Sequence, residues 1–189
     1  MTSSSVYAPN TREEETEQRT IAAIVDNEPG VLARVVGLFS ARGYNIESLT
    51  VAETDMEKHR SRITIVTRGA PSTLAQIEAQ LLRLVPVRFV IDVSRDRDGI
   101  ERELALFKVV GSGEKRVEAM RLADAFRAKV IDASHTSFIF ELTGGRDKID
   151  AFADLMTPLG LAEISRTGVL SIRRGPLTPK QQEEASDAQ

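Results

Sequence analysis

Residues 26–35 read DNEPGVLARV and follow directly on the apolar run TIAAIV. Asn27, Pro29 and Gly30, which shape the loop, include no usual nucleophile or general base, so the chemistry on offer is binding rather than bond-making. A helix beginning near Val31 leaves its first backbone N–H groups without intrahelical partners and turns a partial positive charge on the preceding loop. Gly30 lets the backbone approach a ligand closely, and Pro29 fixes the turn before it, which suits a small carboxylate better than a phosphate chain. The Asn27 carboxamide can donate to a carboxylate and accept from an ammonium at once. A free amino acid presents both groups. Pro29 and Gly30 also begin helices that bind nothing, with Asn27 as a cap, and spacing alone leaves both readings open.

Other chemistry finds little material. The chain of 189 residues has no cysteine and two histidines, and it balances 25 basic against 28 acidic residues for a net charge of −3. Disulfides, thiolate metal sites and cysteine nucleophiles are excluded. No global field draws the chain to nucleic acid or anionic lipid. His59 and His135 fall in polar turns and read as solvated. Glu183 and Glu184, and residues 13–15, lie in tails with nothing to hold them for acid–base work. GSGEKR, residues 111–116, begins like a phosphate loop, but Arg116 stands where a dinucleotide fingerprint needs glycine and no Walker lysine pattern follows.

The elements that must position the loop follow from periodicity. A strand over residues 20–25 leads to a helix whose Val31, Val35, Leu38 and Phe39 share a stripe, ended by Gly43. Residues 45–53 alternate, with Ile46, Ser48 and Thr50 on one face and Glu47, Leu49 and Val51 on the other. SRITIVTR forms a hairpin with them across TDMEKHR. A second helix has Ser72 as its N-cap and Leu74, Ile77, Leu81 and Leu84 inward. VRFVIDVS then buries Val87, Phe89, Ile91 and Val93. The cycle repeats as a strand (ELALFKVVG), a helix with Val117, Met120, Ala123 and Phe126 inward, and a strand pair flanking His135. It closes with a helix holding Ile149, Phe152, Ala153 and Met156 and a last strand, LAEISRTGVLSI.

The expected fold is therefore α+β: two ferredoxin-like βαββαβ units, with helices on one face of antiparallel sheets. The divisions are a disordered leader over 1–18, a first unit over 19–94, a charged connector over 95–102, a second unit over 103–175 and a disordered tail over 176–189. The leader holds four glutamates against one arginine and no signal-length or membrane-length apolar run, and the cytoplasm is the expected location.

Extended to residues 26–55, DNEPGVLARVVGLFSARGYNIESLTVAETD closely resembles the regulatory (small) subunit of acetolactate synthase, also called acetohydroxyacid synthase. The likeness continues through SRITIVTRG and QIEAQLLRLVPVRFV and, more loosely, to GVLSIRRG, covering about residues 19–175. It implies an N-terminal ACT domain that pairs with a second copy and binds an amino acid at the shared interface, followed by a C-terminal ACT-like domain. The family's effector site falls on Asn27, Gly30, Val31 and Leu32 of one protomer with Asn45 and Ile46 of its neighbour. Ala52 matches a position associated with effector sensitivity. Pro29 departs from family members with serine there. No Asn-x-Pro-Gly run recurs in the second unit, which points to dimerisation or partner contact rather than an identical site.

The resemblance implies a non-catalytic homodimer that activates a separate catalytic (large) subunit and confers feedback inhibition by valine, leucine or isoleucine. It places FAD, thiamine diphosphate and magnesium on that large subunit and none on this chain. A stand-alone amino-acid sensor regulating another enzyme or a transcription factor is the alternative. An RNA-binding module of the same strand order would need exposed aromatics on its central strands, which TIAAIV and SRITIVTR lack. An enzyme would need a constellation of base, nucleophile or metal ligands, and none assembles.

Overall fold

The structure is a computed structural model that describes residues 15–95, 99–176, 178 and 181. The expected leader up to residue 14 and most of the expected tail lie outside the described residues. The first unit runs β1 (Glu17–Asp26), α1 (Val31–Arg42), β2 (Ser48–Asp55), β3 (Arg60–Gly69), α2 (Pro71–Leu81) and β4 (Val87–Asp92). The second runs β5 (Gly99–Val110), α3 (Gly113–Phe126), β6 (Lys129–Ala133), β7 (Ser137–Gly144), α4 (Arg146–Gly160), β8 (Leu161–Arg166) and β9 (Leu170–Arg173). The sheets are antiparallel, ordered β2-β3-β1-β4 and β6-β7-β5-β8, and β9 pairs with the start of β5. This is the expected α+β fold of two ferredoxin-like units.

After Thr20 the run IAAIV is apolar throughout, as suits a strand buried on both faces. Ile21, Ala23 and Val25 pack with Val31, Val35 and Phe39 of α1 and Leu74, Ile77 and Leu81 of α2. Thr20, Ala22 and Ile24 alternate with them on the opposite face, and they are also buried. The second unit supplies the cover there. Val169 donates its N–H to Ser48 Oγ at 2.9 Å and accepts from Thr50 Oγ1 at 3.2 Å, while Ser171 meets Arg62. Gly168 comes so close that an added Cβ would lie 2.7 Å from Ser48 Oγ, and its φ of +83° suits glycine.

Several expectations change. Residues 17 and 18 belong to β1 rather than a leader, and residues 99–102 are strand rather than connector, paired with β9. The last strand divides at Gly168 into β8 and β9. A register shift between Ile24 and Val25 sets Val87 opposite Val25 and Phe89 opposite Ile24. This bulge puts Val87 in the helix-facing core, with Phe89 and Ile91 on the other face. Ala70, not Ser72, precedes α2, whose first residue is Pro71, a position where the missing N–H costs nothing. Ile46 packs against the first core instead of sharing the face of Ser48. On α3, Met120, Ala123 and Phe126 pack on the second core as expected and Ala119 joins them, while Val117, a turn before them, is exposed.

The second core centres on Phe152 of α4, whose ring meets Phe107 at 4.8 Å, Phe126 at 5.2 Å and Phe140 at 6.1 Å. Phe152→Ala is therefore expected to cost about 3–5 kcal/mol. Urea unfolding should measure it, and a cost below about 1 kcal/mol would contradict this packing.

Candidate functional site

The loop between β1 and α1 is held from below and open above. Asp26 N–H donates to Pro86 O at 2.8 Å, and Asn27 N–H donates to His59 O at 2.7 Å. The Asp26 carboxylate takes Arg88 on both oxygens, at 3.0 and 2.6 Å, and also pairs with Arg60. This fork fixes the end of β1 and leaves residues 27–30 exposed.

Gly30 takes the left-handed conformation, φ +85°, directly before α1. No side chain caps the helix, and its first turn carries no acidic residue. Val31 N–H makes one long contact, 3.4 Å, to Glu28 O, no side-chain cap or first-turn carboxylate answers the amides that follow, and the N-terminal end of the dipole points at open loop. Val31 is 5% exposed and sits in the core, so its side chain cannot line a ligand and only its backbone faces the loop. Leu32 is 41% exposed and presents aliphatic surface beside Gly30.

The other predicted site residues follow the far end of α1. Gly43 and Tyr44 close the helix, with Tyr44 N–H donating to Phe39 O at 3.0 Å. Asn45 is exposed, and its carbonyl accepts from Thr67 Oγ1 at 2.6 Å. Ile46 is half-buried on the first core. A twelve-residue helix rises about 18 Å. One chain therefore holds Gly30 and Asn45 at opposite ends of α1 and does not bring the two groups together.

Between them lies β2, an edge strand that pairs only with β3 among the described strands. Ala52 is exposed on it, in register with Arg62 of β3. Sequence reasoning did not single out Glu47, just before β2. Its carboxylate accepts from Arg68 Nε at 3.1 Å and Arg146 Nη1 at 2.7 Å and also takes Gln18, which ties both units together. The only sequence signal was a charged residue among half-buried neighbours. Burial alone would raise the Glu47 carboxyl, but these hydrogen bonds outweigh it and hold it below the usual carboxylate range.

Elsewhere the site chemistry is sparse. His59 and His135 are exposed, and the described residues hold no group of three or more His, Cys, Asp or Glu able to hold a metal ion. Glu114 occupies the first turn of α3, where a phosphate would sit, and the Arg116 guanidinium stacks 3.7 Å from the centre of the Phe138 ring. The large hydrophobic side chains exposed among the described residues include no aromatic, so neither sheet offers a stacking platform for bases. No helix among the described residues is long and apolar enough to cross a membrane.

Paired ferredoxin-like units, the first with an uncapped helix behind an Asn-x-Pro-Gly loop, define the ACT class of domain. Comparison with known proteins makes the class particular. Residues 21–89 match the "AHAS small subunit-like ACT domain" family and residues 102–175 match the "Small subunit of acetolactate synthase" family. The probable acetolactate synthase small subunit of Archaeoglobus fulgidus is 46% identical over 158 residues, which span 84% of this chain and 98% of that protein. The small subunit of Haemophilus influenzae is 46% identical over 159 residues, spanning 84% and 96%. The crystal structure of the Thermotoga maritima small subunit superposes with a TM-score of 0.75 at 37% identity, covering 85% of this chain and 99% of that one. The chain belongs to the acetolactate synthase small-subunit family.

The depressed Glu47 value carries a signed expectation. Its contribution to stability is complete above the ordinary glutamate range and is lost as pH falls through the lowered folded value. Urea midpoints of wild type and Glu47→Gln should differ most above the ordinary glutamate range and converge as pH falls through the lowered folded value. A gap that stays constant across this range would mean the Glu47 bridge is not what titrates.

Proposed function

We propose that this chain is the regulatory, non-catalytic subunit of acetolactate synthase: two copies pair edge to edge through β2, and a free branched-chain amino acid binds between them. The observation that carries the reading is an uncapped α1 N-terminus on a chain that also presents an unshared sheet edge. A two-fold axis beside β2 reverses the partner strand, so the partner's Asn45 end of β2 comes to the Gly30 end of this chain. Edge strands are pairing templates unless blunted. Exposed Val51, Ala52 and Glu53 leave this one available.

In this arrangement the ligand carboxylate meets the α1 N-terminus through the Gly30, Val31 and Leu32 backbone, and its ammonium meets Asn27 and the neighbour's Asn45. Leu32 and Ile46 flank an aliphatic side chain, with valine the favoured ligand. A carboxylate at a partly buried helix terminus contributes up to about 2 kcal/mol. Burying an aliphatic side chain adds about 1.5–3 kcal/mol. Micromolar to millimolar binding needs about 8 to 4 kcal/mol, so these terms with a few hydrogen bonds suffice for a metabolite sensor.

The ligand inhibits only by favouring one arrangement of the complex over another. Ser48 and Thr50 of β2 also grip Val169, so a shift at the paired edge reaches the second unit. That unit, with its match to the synthase small-subunit family, supports contact with a catalytic chain over a free-standing sensor. FAD, thiamine diphosphate and magnesium are assigned to the catalytic chain, as the family resemblance implies.

Mixed with its cognate catalytic subunit, the purified protein should raise acetolactate synthase activity while showing none alone; an unchanged rate would count strongly against the reading. Asn27→Ala should weaken valine binding roughly fivefold or more, for one lost hydrogen bond. Gly30→Asp, which puts a competing carboxylate at a left-handed position, should abolish it, and activation should survive in both. Wild-type valine affinity by calorimetry in both variants would reject the site.

A further inference from the structure

Arg62 stands apart from the arginines that meet carboxylates. It lies on β3 between Ile24 and Ala52, with its side chain on the sheet face that the second unit covers. Arg19 meets Asp92 and Glu78, Arg88 meets Asp26, Arg146 meets Glu47, and Arg166 meets Glu103 and Asp150. No carboxylate among the described residues answers Arg62. Its Nη2 makes one long contact, 3.4 Å, to the neutral Ser171 hydroxyl, and its Nε is buried without a hydrogen-bond partner. Burial disfavours its charge and lowers its pKa, yet a guanidinium keeps its proton in a protein, so the desolvation is left uncompensated.

The group opens into a cleft of about 430 Å³ between the first sheet and β9, within the range of small-molecule sites. Arg62 contributes positive charge to its wall, Thr54 and Ser171 hydroxyls, and Ile91 and Val93 apolar surface. No acidic side chain lines it among the described residues. A half-buried arginine fork, flanking hydroxyls and an aliphatic floor match a carboxylate with a short hydrocarbon chain. An ammonium would find no carboxylate among the described residues here.

We propose that this cleft is a second ligand site, separate from the paired-edge site, that takes a small oxo or hydroxy carboxylic acid in preference to an amino acid. The ligand carboxylate accepts from the terminal guanidinium nitrogens of Arg62, and its chain lies on Ile91 and Val93. Because Ala52 neighbours Arg62 across the ladder, occupancy is felt on β2.

Calorimetry on the full chain tests this with 3-methyl-2-oxobutanoate, valine, which has the same carbon skeleton, and inorganic phosphate as probes. The oxo acid should bind wild type with a Kd of about 10 mM or tighter, and Arg62→Gln should weaken it roughly tenfold or more while leaving valine affinity unchanged. Ser171→Asp sets a carboxylate within reach of Arg62, and it should both raise the thermal midpoint and abolish oxo-acid binding. The site is overturned if the oxo acid shows no saturable binding or binds Arg62→Gln as it binds wild type. It is equally overturned if phosphate binds as tightly as the oxo acid, if Arg62→Gln weakens valine by the same factor, or if Ser171→Asp lowers the midpoint and leaves binding intact.

Discussion

The constraint on which the molecule depends is that its first sheet has two apolar faces and only one pair of helices. α1 and α2 cover Ile21, Ala23, Ile63 and Ile65. Ala22, Ile24 and Phe89 on the opposite face need a cover from elsewhere in the chain, and the second unit provides it with the β5–β9 ribbon. Burial of this second face locks the relative placement of the two units. It also brings Arg62, Ser48 and Thr50 against the segment around Val169.

That arrangement concentrates three duties on β2. Its helix-facing side chains, Leu49 among them, contribute to the first core. Its opposite face, through Ser48 and Thr50, grips the second unit. Its outer backbone edge is free among the described strands. Coupling between a ligand at the edge and a distant surface requires an element whose placement both ends bias. β2 meets that requirement through direct contacts, with Glu47 anchoring its beginning to Arg146.

Much of this fold is legible from local pattern. The α1 stripe of Val31, Val35 and Phe39, the Gly43 stop and the α4 stripe through Phe152 are written in three- and four-residue steps, and the structure keeps them. What escaped is set by partners far along the chain. Alternation from Val87 to Val93 implies one face, whereas a bulge hidden in the pairing splits it across two. Residues 99–102 read as solvated charge because their strand character comes from β9, more than sixty residues on. The loop at Gly30 was visible because glycine, proline and asparagine have local meanings. Asn45 and Ile46 carry no such meaning, and their assignment came only through resemblance. Arg62 had no signal at all, because an arginine in a strand looks solvent-facing until the element opposite it is known.

The junction at Gly168 and Val169 is built from main chain on one side. Val169 contributes its N–H and C=O rather than its side chain to Ser48 and Thr50, and Gly168 permits the approach by having none. A joint of this kind constrains its two positions differently: the hydrogen-bonding groups at 169 persist through any apolar replacement but proline that fits the buried space of Val169, while the neighbouring position is nearly frozen. Relatives can thus diverge widely along their C-terminal half and still seat it on the N-terminal sheet in the same pose.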